Sequence, residues 1–106
     1  MTKMYDIYIA FVSWGDEGKR RPILILDVDN GKVKAFSITT QYMNKSEEIR
    51  ARYLAINDWK QAGLNRPSYI DTNQAISIPL PALDNTKPIG KLSVTDETRL
   101  IEFIKP

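Results

Sequence analysis

Between Ile23 and Thr40 the chain runs through an apolar stretch, Ile23-Leu24-Ile25-Leu26, then Asp29-Asn30-Gly31, then the alternating stretch Val33 to Thr40. This pattern constrains the fold more than any other. A short continuous apolar run reads as a buried strand. Asn-Gly tolerates the positive φ angles of a tight hairpin. Strict alternation then returns a strand with one face in the core. Two strands joined in this way are antiparallel neighbours, so the chain is committed early to an antiparallel sheet.

The rest of the chain supplies further strands for that sheet. Tyr5 to Val12 alternates Tyr5, Ile7, Ile9 and Phe11 against Asp6, Tyr8, Ala10 and Val12, and reads as a first strand. Ser13 to Arg20, with two glycines and four charges, reads as a flexible turn leading into Arg21-Pro22 and the buried second strand. Gln41 to Glu48 is polar and reads as a loop, and Arg52 to Ile56 as a fourth strand. Asn57 is placed to cap a short helix over 58–61, closed by Gly63. Pro67 to Ile78 alternates again as a fifth strand and ends at Pro79 and Pro81, which cannot donate to a ladder.

The chain should finish in an amphipathic helix. Thr95 with Asp96 and Glu97 makes a helix start, and Leu100, Ile101 and Ile104 make one apolar stripe suited to core packing. Many short strands and few helices predict a mainly β fold, a small and strongly twisted barrel or sandwich with the helix laid against it. With 106 residues and no internal repeat or linker, residues 1–106 read as a single domain. At this size folding buries about two-thirds of the surface that the unfolded chain exposes.

Composition removes several function classes. The AVILMFWYC set makes up 42% of residues and charged residues 26%, which is ordinary for a globular protein. No cysteine means no disulfide framework, thiolate zinc site or cysteine nucleophile, so a reducing compartment is expected. No histidine removes the side chain most used for proton transfer near neutral pH and the commonest metal ligand. No stretch approaches the roughly 20 apolar residues that span a bilayer, and no signal-peptide pattern opens the chain, so a cytoplasmic protein is expected. A formal charge of +2 permits a polyanionic partner without requiring one.

Four ordered segments carry a resemblance. Lys19-Arg20-Arg21-Pro22 before Ile23-Leu24-Ile25-Leu26, Phe36-Ser37-Ile38-Thr39-Thr40-Gln41, Asn73-Gln74-Ala75-Ile76-Ser77-Ile78, and Ile89-Gly90-Lys91-Leu92 before the last helix resemble the MazF/PemK-like toxins of type II toxin–antitoxin systems. The resemblance runs from about Tyr5 to Ile104. It implies the SH3-like small barrel of the MazF, Kid and CcdB toxins with a C-terminal amphipathic helix. It also implies a homodimer with single-stranded RNA lying across it, a cognate antitoxin of the MazE/PemI kind, and endoribonuclease action without metal or other cofactor. Arg21 falls on the family's catalytic arginine and Thr39 on its catalytic hydroxyl, with Thr40 the alternative if the strand register slips by one. Trp14, Lys19, Arg20, Thr40, Gln41, Asn73 and Gln74 are the corresponding substrate-binding candidates.

The chemistry suits those residues. RNA carries its own nucleophile, the ribose 2′-hydroxyl, so cleavage requires that this group be aligned and the charge gathering on phosphate be stabilised. Arg21 offers a fixed fork of donors matched to phosphate oxygens and keeps its charge. Thr39 can donate to a second oxygen. Trp14 is placed either to stack on a base or to cover the core, and Trp59 reads as a helix anchor or dimer contact. Arginine is a poor base, so the base is left open among Asp16, Glu17 and Asp71.

The chain also departs from the family. Some members carry aspartate in the catalytic set where this chain has Asn73, which cannot act as a base, and arginine where it has Asp71. The turn Ser13 to Arg20 is shorter than the family's usual stretch. These departures keep a second reading in view, a toxin-fold protein with its catalysis lost that grips a protein target such as a topoisomerase subunit.

Overall fold

The computed structural model describes residues 2–14, 17–83 and 86–106, with Trp14 described through its backbone only. Within them lie six strands, β1 (Asp6–Trp14), β2 (Glu17–Asp29), β3 (Lys32–Thr39), β4 (Tyr53–Ala55), β5 (Tyr69–Pro79) and β6 (Gly90–Lys91), two α-helices, α1 (Glu47–Arg50) and α2 (Val94–Ile104), and one 3-10 turn, Leu80–Leu83. All six strands form one curled antiparallel sheet, a half-barrel, in the order β4-β5-β3-β2-β1-β6. The expected mainly β small barrel with a C-terminal helix is therefore present.

The Asn-Gly hairpin forms as its residues dictate. Asp29 pairs with Lys32, and the two residues between them have positive φ, 51° at Asn30 and 75° at Gly31, the signature of a type I′ turn whose twist matches that of the flanking strands. The first hairpin differs from expectation. Where Ser13 to Arg20 was expected to be a flexible turn, pairing continues from Ile7↔Leu24 out to Trp14↔Glu17, so Ser13 and Trp14 belong to β1 and Glu17 to Arg21 to β2. Charge and glycine suggest a loop, but ladder hydrogen bonds use only backbone, and Glu17, Lys19 and Arg20 keep their side chains exposed to water.

Both faces of the central strands are covered. Ile7, Leu24, Phe36, Ile38, Leu54, Ile70, Leu92 and Leu100 form one core, and Tyr8, Ala10, Ile23, Ile25, Val33, Ala35, Ile78 and Leu83 form another. Alternate residues of β1, β2 and β3 enter alternate cores, and for this reason Ile23 to Ile25 is apolar without a break.

Three other details depart from the sequence reading. The polar loop after β3 contains α1, capped by the Ser46 hydroxyl accepting from the Ile49 N–H. The expected helix over 58–61 is a single turn, closed by a Schellman pair, Leu64 N–H to Trp59 C=O and Gly63 N–H to Lys60 C=O, with Gly63 at φ 85°. Its first N–H groups, those of Asn57 and Asp58, are held by the Asp96 carboxylate of α2 at 3.2 and 2.8 Å, so this carboxylate caps the turn where Asn57 was expected to. Helix α2 begins at Val94, one residue before the expected start, and its cap is Ser93, whose hydroxyl accepts from Asp96 N–H.

The stripe on α2 is only partly core. Leu100 is buried, whereas Ile101 and Ile104 are 44% and 47% exposed. The helix is anchored through Asp96 and Leu100, and its last turn borders an open hollow with Phe36, Ala51, Arg52 and Thr72. No helix among the described residues is long and apolar enough to cross a membrane.

Candidate active site

The strand register brings the sequence candidates onto one face. Ile23 pairs with Ser37, Ser37 with Asp71, and Asp71 with Tyr53, so one row crosses β2, β3, β5 and β4. In the next row Thr39 pairs with Tyr69, and extending the β2–β3 register by two residues brings Arg21 opposite Thr39. Directly paired residues point to the same side of a sheet. Arg21, Ser37, Thr39, Tyr53, Tyr69 and Asp71 therefore share one face, beyond the end of the core around Ile23 and Ile25.

A groove of about 510 Å³ opens there, lined by Lys19, Arg20, Arg21, Pro22, Ile38, Thr39, Thr40, Gln41, Lys45, Tyr53, Ser68 and Asp71. Four of these groups are cationic and one, Asp71, is acidic, so a chain with a formal charge of only +2 concentrates positive potential in one concavity. The Thr39 hydroxyl oxygen accepts from the Gln41 N–H at 3.0 Å. That contact orients the side chain and leaves its hydrogen to donate to a ligand.

Tyr53 lines the groove on the β4 side, and Tyr42 and Tyr69 line a second hollow that shares Thr40 and Gln41 with it. Tyr42 stacks on Tyr69 with ring centroids 4.4 Å apart and planes at 15°, Tyr53 lies tilted against both, and the Arg50 guanidinium carbon is 5.5 Å from the Tyr42 ring centre. The Tyr53 phenol is held above its ordinary value by burial and by the Asp71 carboxylate, against the opposing pull of Arg21. It therefore remains a hydrogen-bond donor at neutral pH.

Of the sequence candidates, Lys19, Arg20, Arg21, Thr39, Thr40 and Gln41 are gathered in the groove. Asn73 and Gln74 are not among its lining residues. They lie in an excursion of β5, where Thr72 to Ala75 oppose Phe36 alone, and Gln74 is exposed. Asn73 instead donates from its backbone and from Nδ2 to Asp71 Oδ1, each at 2.9 Å, and from Nδ2 to the Ile49 carbonyl at 3.1 Å. Glu17 is exposed at the start of β2, away from the groove lining. The stacking role considered for Trp14 and the proton-transfer role considered for Asp16 fall outside the described side chains.

Sequence reasoning missed Tyr53, Tyr69, Lys45 and Ser68. The two tyrosines were legible as β-formers, and only cross-strand pairing with Asp71 and Thr39 places Tyr53 in the groove and Tyr69 beside it. Among the described residues, no three carboxylates, histidines or cysteines converge as metal ligands would.

No protein-family model matches this chain, and no curated protein matches it in sequence. Among solved structures, the Mycobacterium tuberculosis toxin MazF-mt6 superposes with a TM-score of 0.69 at 28% identity, over 93% of this chain and 91% of that one. The chain is MazF-like. The match extends over nearly the whole length of both proteins. It supports reading the MazF-like chain as the toxin of a toxin–antitoxin system.

Proposed function

We propose that this MazF-like toxin is an endoribonuclease that cleaves single-stranded RNA by transesterification, using Arg21 and Thr39 without a metal ion. The observation that carries the reading is the placement of Arg21 beside Thr39 on one sheet face, within a groove that also holds Lys19, Arg20 and Lys45. A polyanion is drawn into such a groove, and the basic side chains hold its backbone.

In this mechanism the 2′-hydroxyl attacks the adjacent phosphorus, and negative charge accumulates on the non-bridging oxygens. Arg21 meets that charge with paired donors, and the Thr39 hydroxyl, its oxygen already engaged by the Gln41 N–H, donates to another oxygen. Both groups are positioned before substrate arrives, Arg21 by the β1–β2 ladder, where it pairs with Ala10, and Thr39 by a local turn. The product ends are a 2′,3′-cyclic phosphate and a 5′-hydroxyl. The same reading makes the active form a cytosolic homodimer with RNA across its face. A cognate antitoxin silences it by laying an acidic segment, which folds on binding, over the basic groove.

The test incubates the full chain with a long single-stranded RNA in EDTA, with Arg21→Ala in parallel and thermal melts of both. Native protein should release discrete fragments with 5′-hydroxyl ends, and the variant should fold yet cleave about 10²- to 10³-fold more slowly, the usual cost of a lost oxyanion donor. Equal cleavage by the two proteins would remove Arg21 from the site. RNA left intact by the native chain across many substrates would refute the ribonuclease reading.

A further inference from the structure

The proposed reaction needs a group to take the 2′-hydroxyl proton, and neither a guanidinium nor a threonine hydroxyl can do so efficiently. We propose that Asp71 is this general base and that Asn73 is its positioning residue, an assignment that rests on the ribonuclease reading above.

Three observations converge on Asp71. It is the acidic group among the described groove residues, in the row next to Arg21 and Thr39. It also stands across the groove from the catalytic cation. From β2 to β5 is two strand spacings, about 10 Å, and the charges of both groups act on the Tyr53 phenol, which sets them on the same groove face. Finally, its orientation is imposed. Both Asn73 donors converge on Oδ1 at 2.9 Å, which leaves Oδ2 to face a substrate.

The Asn73 amide is itself clamped. Its Nδ2 contacts two acceptors, Asp71 Oδ1 and the Ile49 carbonyl ahead of Arg50, so the amide can point only one way. The excursion of β5 at Thr72 to Ala75 makes this possible, because it lets residue 73 turn back onto residue 71. Asn73, considered as a substrate contact from sequence, acts here through Asp71. Tyr53, paired with Asp71 across β4 and β5, stays protonated and does not compete for the base role.

In the step itself, Asp71 Oδ2 takes the proton from O2′ as the O2′–P bond forms and the P–O5′ bond breaks. The departing O5′ takes a proton from water, and the Asp71 carboxylic acid returns its proton to solvent. Charge and atoms balance without a co-reactant beyond water.

The experiment compares native chain, Asp71→Asn, Asp71→Ala, Asn73→Ala, Arg21→Ala and the Asp71→Ala/Asn73→Ala double variant. Cleavage is measured on single-stranded RNA, and binding separately on the same sequence carrying 2′-O-methyl groups. Asp71→Asn should lose about 10²- to 10⁴-fold in cleavage, the usual worth of a general base, while binding the methylated RNA at least as well as native. Formate should restore cleavage to Asp71→Ala in a concentration-dependent way and not to Arg21→Ala. Asn73→Ala should slow the native enzyme yet have no further effect in the Asp71→Ala background, as a residue acting only through Asp71 requires. Cleavage by Asp71→Asn within about threefold of native, or failure of formate to act on a folded Asp71→Ala, would overturn the assignment. An inactive native chain would instead overturn the ribonuclease reading beneath it.

Discussion

Replacing Asp96 by asparagine tests how α2 is joined to the rest of the protein. The Asp96 carboxylate is 1% exposed and accepts from Asn57 N–H at 3.2 Å, Asp58 N–H at 2.8 Å and Arg99 Nη1 at 2.7 Å. Asparagine has almost the same volume, so no cavity opens and packing around Leu100 is preserved. What changes is charge and acceptor count. One oxygen can still accept, but the new NH₂ group must face a backbone N–H or the guanidinium, donor against donor. Hydrogen bonds to a charged group contribute about 1.5 to 3 kcal/mol each, and one or two of the three are lost.

Solvent compensates part of that loss. The Arg99 side chain is 33% exposed and keeps its bond to the Ala55 carbonyl at 2.7 Å, so the guanidinium is not stranded without partners. The net destabilisation is then about 3 kcal/mol. In urea, with a slope of about 1 to 1.5 kcal/mol/M for a domain of this size, the midpoint should fall by roughly 2 to 3 M. The melting temperature should fall by roughly 12 to 24 °C. Native and variant must be compared at one protein concentration, since the proposed dimerisation would add to apparent stability. A change below about 0.5 kcal/mol, the range of an ordinary surface substitution, would refute the claim that this carboxylate ties the 57–63 turn to α2.

Two further predictions concern the same frame and the site. Gly63→Ala places a methyl 2.1 Å from the Ile89 carbonyl oxygen at a φ of +85°, so both contact and backbone are unfavourable; we expect loss of well over 1 to 3 kcal/mol, read by thermal melting, and a near-native melt would show that the turn can shift. Tyr53 has a folded-state value raised above its unfolded 10.0, so below pH 10 both states hold the proton and stability is unaffected. As pH rises through the interval between the two values, the unfolded chain releases a proton that the folded chain retains, and stability falls. Tyr53→Phe should lack that increment, so its urea midpoint should drop less than that of native protein between neutral pH and pH above 10. An equal drop would contradict the environment assigned to Tyr53.

Much of the sheet could be read along the chain because its determinants are local. Asn30-Gly31 sets a turn by backbone sterics alone, and the alternation from Val33 to Thr40 sets which side chains enter the core. Errors fell where local composition and tertiary pairing disagree. Ser13 to Arg20 looks like a loop because of its charge and glycine, but Ser13, Trp14 and Glu17 to Arg20 find ladder partners on the opposite strand, which charge does not exclude. Ile101 and Ile104 look like core because they share a helical face with Leu100, but how much of that face is covered depends on where α2 lies against the sheet, and both stay about half exposed.

For the site, Arg21, Thr39, Thr40 and Gln41 were legible through motif and order, because each motif is contiguous. Tyr53, Tyr69 and the tie between Asn73 and Asp71 were not, because they exist only once β3, β4 and β5 are in register. By itself the sequence determined the antiparallel β class, the hairpin at Asn30-Gly31, and the absence of the thiol and imidazole groups on which most acid–base and metal chemistry relies. Tertiary structure alone decided which candidates share a groove, which way the Asp71 carboxylate faces, and where the positive charge collects. The physical reason is that turn sterics and side-chain periodicity act over a few neighbouring residues, whereas a groove is built from side chains on separate strands that only the ladder brings side by side.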